Sequence, residues 1–281
     1  MNPLKQVYLV PSVITAFGLA CGLFAIFKLF MLAPDKGMYH ALYYSTLLLI
    51  LAAIADVLDG AVARIVKAES DFGVMFDSLS DAVTFGVAPS VLFLKSVLLE
   101  QGSWLSFFAV IGAMLYTISG VLRLARYNVE AMKMKGDEVA IQAGKKNFIG
   151  LPIPAAAGCA ISLLLFLHAP KTAEWFTISD CHRTIILSSA MLLLGYMMVC
   201  KWKFLSLKRL RVRVSSISLL FSTVIIAIFV LYGLLYRFSL VLLVISWGYL
   251  LLGCILTTIR LIAGRRSKTL VDFEPESDEL E

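Results

Sequence analysis

The stretch Ala55-Asp56-Val57-Leu58-Asp59-Gly60-Ala61-Val62-Ala63-Arg64, with Gly73, Asp77 and Asp81 behind it, decides how this chain folds. Its acids stand at the facing ends of two apolar runs, 40–66 and 74–98, each long enough for a membrane-crossing helix. Asp56 and Asp59 are three residues apart and Asp77 and Asp81 four apart, so each pair lies on one face of its helix. The connection at about 67–72 is short, which makes the two helices antiparallel neighbours. The two acidic faces are therefore expected to meet at one end of a helix bundle.

Carboxylates at that depth are costly. An acid at mid-bilayer costs about 2.5–3.5 kcal/mol on insertion scales, and neighbouring acids also repel one another. Cations must hold the group together. Ligation by oxygen alone, without His or Cys, suits a hard divalent ion, Mg²⁺ or Mn²⁺, and four acids suffice for two ions bridged by carboxylates. A metal pair of this kind clamps phosphate oxygens. Gly60 and Gly73, which lack Cβ, allow a bulky ligand close to the backbone. Two other readings fit the spacing alone: acids that cap helices or reach into the headgroup layer, and acids that form the cation path of an ion-coupled transporter.

The rest of the chain places this cluster in a bilayer. Of 281 residues, 60% are hydrophobic and 16% charged, with a mean hydropathy of +0.88, well outside the range of an ordinary soluble domain. Beyond the two runs above, 9–32, 104–125, 151–168, 184–200, 217–236 and 239–262 are apolar enough to cross. The expected fold class is all-α, a polytopic transmembrane bundle of about eight helices, or seven spans given that the fifth and sixth runs are the shortest. The first run is too long for a removable signal peptide and has no small-residue cleavage site.

Lys and Arg gather on one side of this arrangement: Arg64 and Lys67, then Arg123 to Lys146, then Lys201 to Arg213, then Arg260 to Lys268. The other side has only Lys28, Lys36, Lys95, Lys171, Arg183 and Arg237. Translocating cationic loops is disfavoured, so both termini and the acidic cluster are expected to face the cytoplasm from a multi-pass protein of the cell (inner) membrane. The net charge of +6 follows from that topology and from attraction to anionic membrane lipids, which leaves no call for a nucleic-acid partner. Cys21, Cys159, Cys181, Cys200 and Cys254 have no metal-type spacing and read as packing residues, with no disulfide framework.

Residues 1–200 read as a six-helix catalytic part and 201–214 as a basic interfacial linker, in which cations alternate with Trp202, Phe204, Leu205, Leu207 and Leu210. The same basic run serves equally well to fix topology. Residues 215–263 supply two further helices, and 264–281 form an acidic tail with too little apolar surface to order.

The pattern D-x2-D-G-x2-A-R-x8-G-x3-D-x3-D, filled at every defined position by residues 56–81, resembles the signature of the CDP-alcohol phosphatidyltransferase family. The resemblance implies metal-dependent transfer of a phosphatidyl group from CDP-diacylglycerol to an alcohol, with release of CMP. By the same carry-over Asp56, Asp59 and Asp77 ligate metal and hold the diphosphate, and Asp81 ligates metal and acts as general base on the acceptor hydroxyl. Gly60, Arg64 and Gly73 would line the CDP pocket, and a homodimer is the family's usual state. Elementary chemistry agrees, since an alcohol is too weak an acid to attack unaided and a carboxylate within hydrogen-bond reach must take its proton. One departure is Pro11-Ser12, where family members commonly place Asn after Pro; Ser12 offers a smaller hydrogen bond or a helix cap.

Three further segments resemble the membrane-embedded bacterial members of the family that use serine: Phe72 to Pro89, Arg123-Leu124-Ala125-Arg126-Tyr127-Asn128, and Phe148-Ile149-Gly150-Leu151-Pro152-Ile153-Pro154-Ala155-Ala156-Ala157. With them the resemblance covers roughly residues 10–160 and implies L-serine as acceptor, with glycerol phosphate or an inositol compound as the alternative. Serine brings a carboxylate and an ammonium with its hydroxyl, so its site needs fixed donors near the acids. Arg123, Arg126, Asn128 and Lys146 are the candidates, Arg being suited to a carboxylate by its planar fork. Positive-inside anchoring explains each Arg equally well, and a stiff helix start explains Gly-Leu-Pro-Ile-Pro.

Overall fold

The computed structural model describes residues 9–31, 37–66, 70–97, 102–133, 148–175, 178–200, 203–204, 233 and 236–263. Its elements are α1 (Leu9–Phe30), α2 (Met38–Val66), α3 (Asp71–Asp81), a π-helical segment (Ala82–Val87), α4 (Ala88–Ser96), α5 (Trp104–Lys133), β1 (Phe148–Ile149), α6 (Ile153–His168), α7 (Pro170–Trp175), α8 (Asp180–Val199), β2 (Lys203–Phe204) and α9 (Phe238–Ala263). The fold is all-α, apart from one two-residue antiparallel pairing of Phe148 with Phe204 and Ile149 with Lys203. Five helices, α1, α2, α5, α8 and α9, are long and apolar enough to cross a membrane. This is an integral membrane protein.

Seven of the eight apolar runs are found as helices. The run at 217–236 falls almost entirely outside the described residues, as do most of the basic linker and the whole acidic tail. Of the linker, Lys203–Phe204 is extended and paired with β1. Helix α5 continues to Lys133, past the end of the apolar run at 125, because Val129, Glu130, Ala131 and Met132 are compatible with a further turn. The short α7 was not anticipated either.

Helices α1 and α2 pack along small residues. Gly18 lies so close to α2 that a Cβ there would stand 3.6 Å from the Ala52 carbonyl oxygen and from Ala55 Cβ. Cys21, Ala25 and Leu29 of α1 are buried with Ala41, Leu42, Leu49 and Ala52 of α2, while Val13, Phe17, Phe24 and Phe27 face outward as a lipid-facing stripe. Helix α1 packs against α3 and the π segment as well, so it braces both acid-bearing helices.

The third apolar run is broken by a π-helical turn, and the cause is Pro89. Proline has no N–H to give the carbonyl four residues back, Phe85, and its ring crowds that carbonyl. The Tyr116 hydroxyl of α5, fully buried at 0% exposure, donates to the Phe85 oxygen at 3.0 Å instead. Thr117 donates to the Gly86 oxygen at 3.2 Å, and the backbone N–H of Ala88 reaches the Val83 oxygen. Helix α5 thus supplies the donors that the backbone cannot.

Helix α6 begins behind Gly150, whose φ of +82° needs no Cβ and whose α-carbon faces the Met198 carbonyl at the end of α8. Leu151 N–H donates to the Met197 oxygen at 3.0 Å, and Pro152 is the N-cap residue of α6, with a further proline in its first turn. The Gly-Leu-Pro-Ile-Pro segment is therefore a stiff helix start. Helix α9 lies along α6, where Trp247 Nε1 donates to the Cys159 oxygen at 3.1 Å and Cys159 Sγ to the Ser246 oxygen at 3.2 Å. The five cysteines are not joined in disulfides.

Candidate active site

Asp56 and Asp59 of α2 face Asp77 and Asp81 of α3 across a cleft that α1 closes with Thr15 and Gly18. One carboxylate oxygen from each of Asp56, Asp59 and Asp77 lies within 4.8 Å of the others, and Asp59 is only 4% exposed. Asp81, one turn on from Asp77, lines the same cleft within electrostatic reach of the other three acids and of Arg123. The meeting of acidic faces expected from the spacing is thus present, with α1 supplying the packing for both helices.

Among the described residues no cationic side chain pairs with Asp56, Asp59 or Asp77; the ion pair found is Arg183 with Asp180, elsewhere in the molecule. Of the three, Asp59 gains neutral donors, the Thr15 hydroxyl at 2.5 Å from Oδ2 and the backbone N–H of Gly60. Three clustered carboxylates with only neutral donors against them remain electrostatically unbalanced. The donor set is all oxygen and fits a hard divalent cation, so this cluster is able to hold a metal.

The remaining sequence candidates divide. Gly60 and Arg64 are exposed and tied to each other, Arg64 Nε donating to the Gly60 oxygen at 2.8 Å. Gly73 has a local reason to be glycine, because a Cβ there would stand 3.1 Å from Ser70 Oγ, which caps α3 by accepting from Gly73 N–H at 3.0 Å. None of these three lines the cleft between the acids. Arg123 is half-buried and interacts with Asp81, and its Nε is a buried donor without a partner. Arg126 donates to the Val199 oxygen at 3.3 Å, at the end of α8. Asn128 Nδ2 donates to Ser78 Oγ at 2.9 Å, which fastens α5 to α3 beside Asp77. Lys146 lies outside the described residues.

Sequence reasoning passed over Thr15, Ser80 and Thr84. Ser12, the residue it considered, lies inside α1, which extends back to Leu9, so it is no helix cap. The useful signal was one turn further on: Thr15 is four residues after Pro11 and turns towards α2, while its carbonyl accepts from the Ser80 hydroxyl at 3.4 Å.

The sequence model of the CDP-alcohol phosphatidyltransferase family matches residues 8–202, which include all four aspartates and the whole of the cleft. The chain belongs to this family. It is 34% identical over 200 residues to the CDP-diacylglycerol–serine O-phosphatidyltransferase of Bacillus subtilis, covering 71% of this chain and 92% of that protein. A protein of the same name from Helicobacter pylori is 30% identical over 209 residues, 74% of this chain and 77% of its own length. The Mycobacterium bovis protein of that name is 38% identical over 172 residues, and there the match spans 60% of this chain but only 54% of the relative. Helix α9 of this phosphatidyltransferase lies beyond the matched region, yet it packs directly on α6.

Proposed function

We propose that this chain is a phosphatidylserine synthase, which transfers the phosphatidyl group of CDP-diacylglycerol to the hydroxyl of L-serine and releases CMP. The observation that carries the reading is the group of three carboxylates within 4.8 Å, unpaired with any described cation, in a cleft that they share with Asp81, in a family member. The names of the relatives supply the acceptor.

Asp56, Asp59, Asp77 and Asp81 would hold Mg²⁺ or Mn²⁺, in our reading two ions. When bound, the metal supplies positive charge against the diphosphate oxygens of the donor. Thr15 fixes Asp59 through its hydroxyl and so presets one wall of the cluster. Asp81 accepts the proton from the serine hydroxyl as that oxygen bonds to the lipid-side phosphorus, and the phosphorus–oxygen bond to CMP breaks. Arg123, already beside Asp81, offers an unpartnered N–H donor to the serine carboxylate, with Arg126, Asn128 and Lys146 as the other acceptor-side groups. Gly60, Arg64 and Gly73 stand on the cytidine side. The cleft opens to the cytoplasm, where CMP leaves.

The test is an assay of purified protein with CDP-diacylglycerol and serine, glycerol phosphate or inositol. Serine should support CMP release far better than the others, excess chelator should abolish it, and Mg²⁺ or Mn²⁺ should restore it. Asp81→Asn should lower turnover by about 10²–10⁴ while CDP-lipid binding survives. A better rate with another alcohol would overturn the serine assignment, and full activity in chelator would overturn the metal.

A further inference from the structure

Of the twelve buried Ser and Thr among the described residues, Thr84 is the one whose hydroxyl has no partner. A buried Thr in a helix ordinarily bonds back to the carbonyl one turn earlier. Thr46 does so at 2.7 Å, Thr184 at 2.8 Å and Thr257 at 2.8 Å. Thr84, 1% exposed on the π segment, makes no such bond. An unmade hydrogen bond at a buried hydroxyl is a standing cost, and valine of the same shape would avoid it.

Its surroundings point to a use. Thr84 lines the same cleft as the four aspartates. The facing position on α1 is Gly22, where a Cβ would stand 2.6 Å from the Thr84 hydroxyl, so α1 can pass this close only as glycine. Gly18 and Ala52, also small, line the cleft beside it. Helix α3 runs inward from its cap at Ser70, which sets Thr84 one turn deeper than Asp81. A CDP-lipid held at the acids directs its acyl chains into the hydrocarbon, so the oxygens linking phosphate to acyl chain fall on this deeper side.

We propose that the Thr84 hydroxyl donates a hydrogen bond to an oxygen on the lipid side of bound CDP-diacylglycerol, either the phosphate ester or an acyl ester carbonyl. This rests on the phosphatidyltransferase reading above and adds a donor-binding residue to it. The contact completes only when substrate arrives, which accounts for a buried hydroxyl left unpaired without it.

The experiment compares the full-length protein with Thr84→Val and Thr84→Ser, measuring CMP release against CDP-diacylglycerol at saturating serine, together with the melting temperature. Thr84→Val should lower kcat/KM for the CDP-lipid about tenfold, the scale of one hydrogen bond. It should leave the serine KM unchanged and the melting temperature equal or higher, and Thr84→Ser should retain activity. A purely structural hydroxyl would lower melting temperature and activity together, which overturns the proposal, as does a Val variant within about twofold of the parent kcat/KM. Repeating the series with a dialkyl ether CDP-lipid separates the two oxygens: a Val defect on both lipids assigns the phosphate ester, and a defect confined to the diacyl lipid assigns the carbonyl. If the parent protein releases no CMP from CDP-diacylglycerol with any alcohol, the phosphatidyltransferase reading fails and takes the Thr84 contact with it.

Discussion

Thr15 gives Asp59 a donor that none of the other cleft aspartates has, at 2.5 Å and almost out of reach of solvent. A hydroxyl that orients a metal-binding carboxylate acts on affinity for the ion, and loss of such a group typically costs about tenfold or more. Thr15→Val should therefore raise the Mg²⁺ or Mn²⁺ concentration needed for half-maximal CMP release by about tenfold, with the rate recovered at high metal. A metal titration identical to that of the parent would show that the bond serves packing alone. The contrast between Thr15 and Asp59 also shows what was legible at this scale. Four acids at fixed spacing in apolar surroundings announce themselves, because their burial has so few explanations. Thr15 and Thr84 do not: a threonine in an apolar helix is ordinary, and its partner lies 44 residues away in one case and is absent in the other. Gly73 was legible as a close approach, and the neighbour that the structure gives it is the Ser70 cap, which no sequence signal singled out.

The π segment is the element on which the site geometry turns. It follows directly on Asp81 and is held open by two hydroxyls of α5, the helix that also carries Arg123 and Asn128. Tyr116→Phe removes the donor to the Phe85 carbonyl and leaves that oxygen buried and unpaired, a loss of about 1–3 kcal/mol. Melting temperature should fall, and kcat should fall with it as Asp81 loses its fixed angle, while the ring itself stays packed. Unchanged stability in this variant would mean that the backbone closes the turn without help. Most helices were legible from hydropathy alone, since each is a run that only a bilayer or a core can accept. The exception is instructive. Pro89 lies in the middle of the third run and marks the break, but no local feature says whether a helix bends, ends or widens there; the answer depends on Tyr116 and Thr117, contributed from 27 to 31 residues away. The pairing of Phe148–Ile149 with Lys203–Phe204 is likewise a contact between distant stretches, too short to leave a periodic trace.

For the whole molecule, the orientation in the membrane decides which substrates reach the cleft. Serine and the cytidine end of the donor are water-borne, so the acids must open to the compartment that supplies them. The acids lie at the same end of the bundle as Arg64, at the end of α2, and Arg123 and Arg126, in the last turns of α5. Further along, the chain adds the run from Lys201 to Arg213 and then Arg260, Arg265 and Arg266. Cations so numerous on one side resist translocation, and anionic lipid on the cytoplasmic leaflet attracts them. The opposite side has far fewer, among them Lys28 over the Tyr44 ring and Arg183 paired with Asp180. Both termini and the cleft should therefore lie inside. In a variant whose natural cysteines are replaced by serine, a cysteine introduced at Ser277 should react with a membrane-impermeant thiol reagent only after the cells are opened. One introduced at Glu174, in the segment between α6 and α8, should react in intact cells. Reaction in the reverse order would place the acids on the outside, away from the cytoplasmic supply of serine and CDP-lipid, and would overturn the orientation while leaving the fold intact.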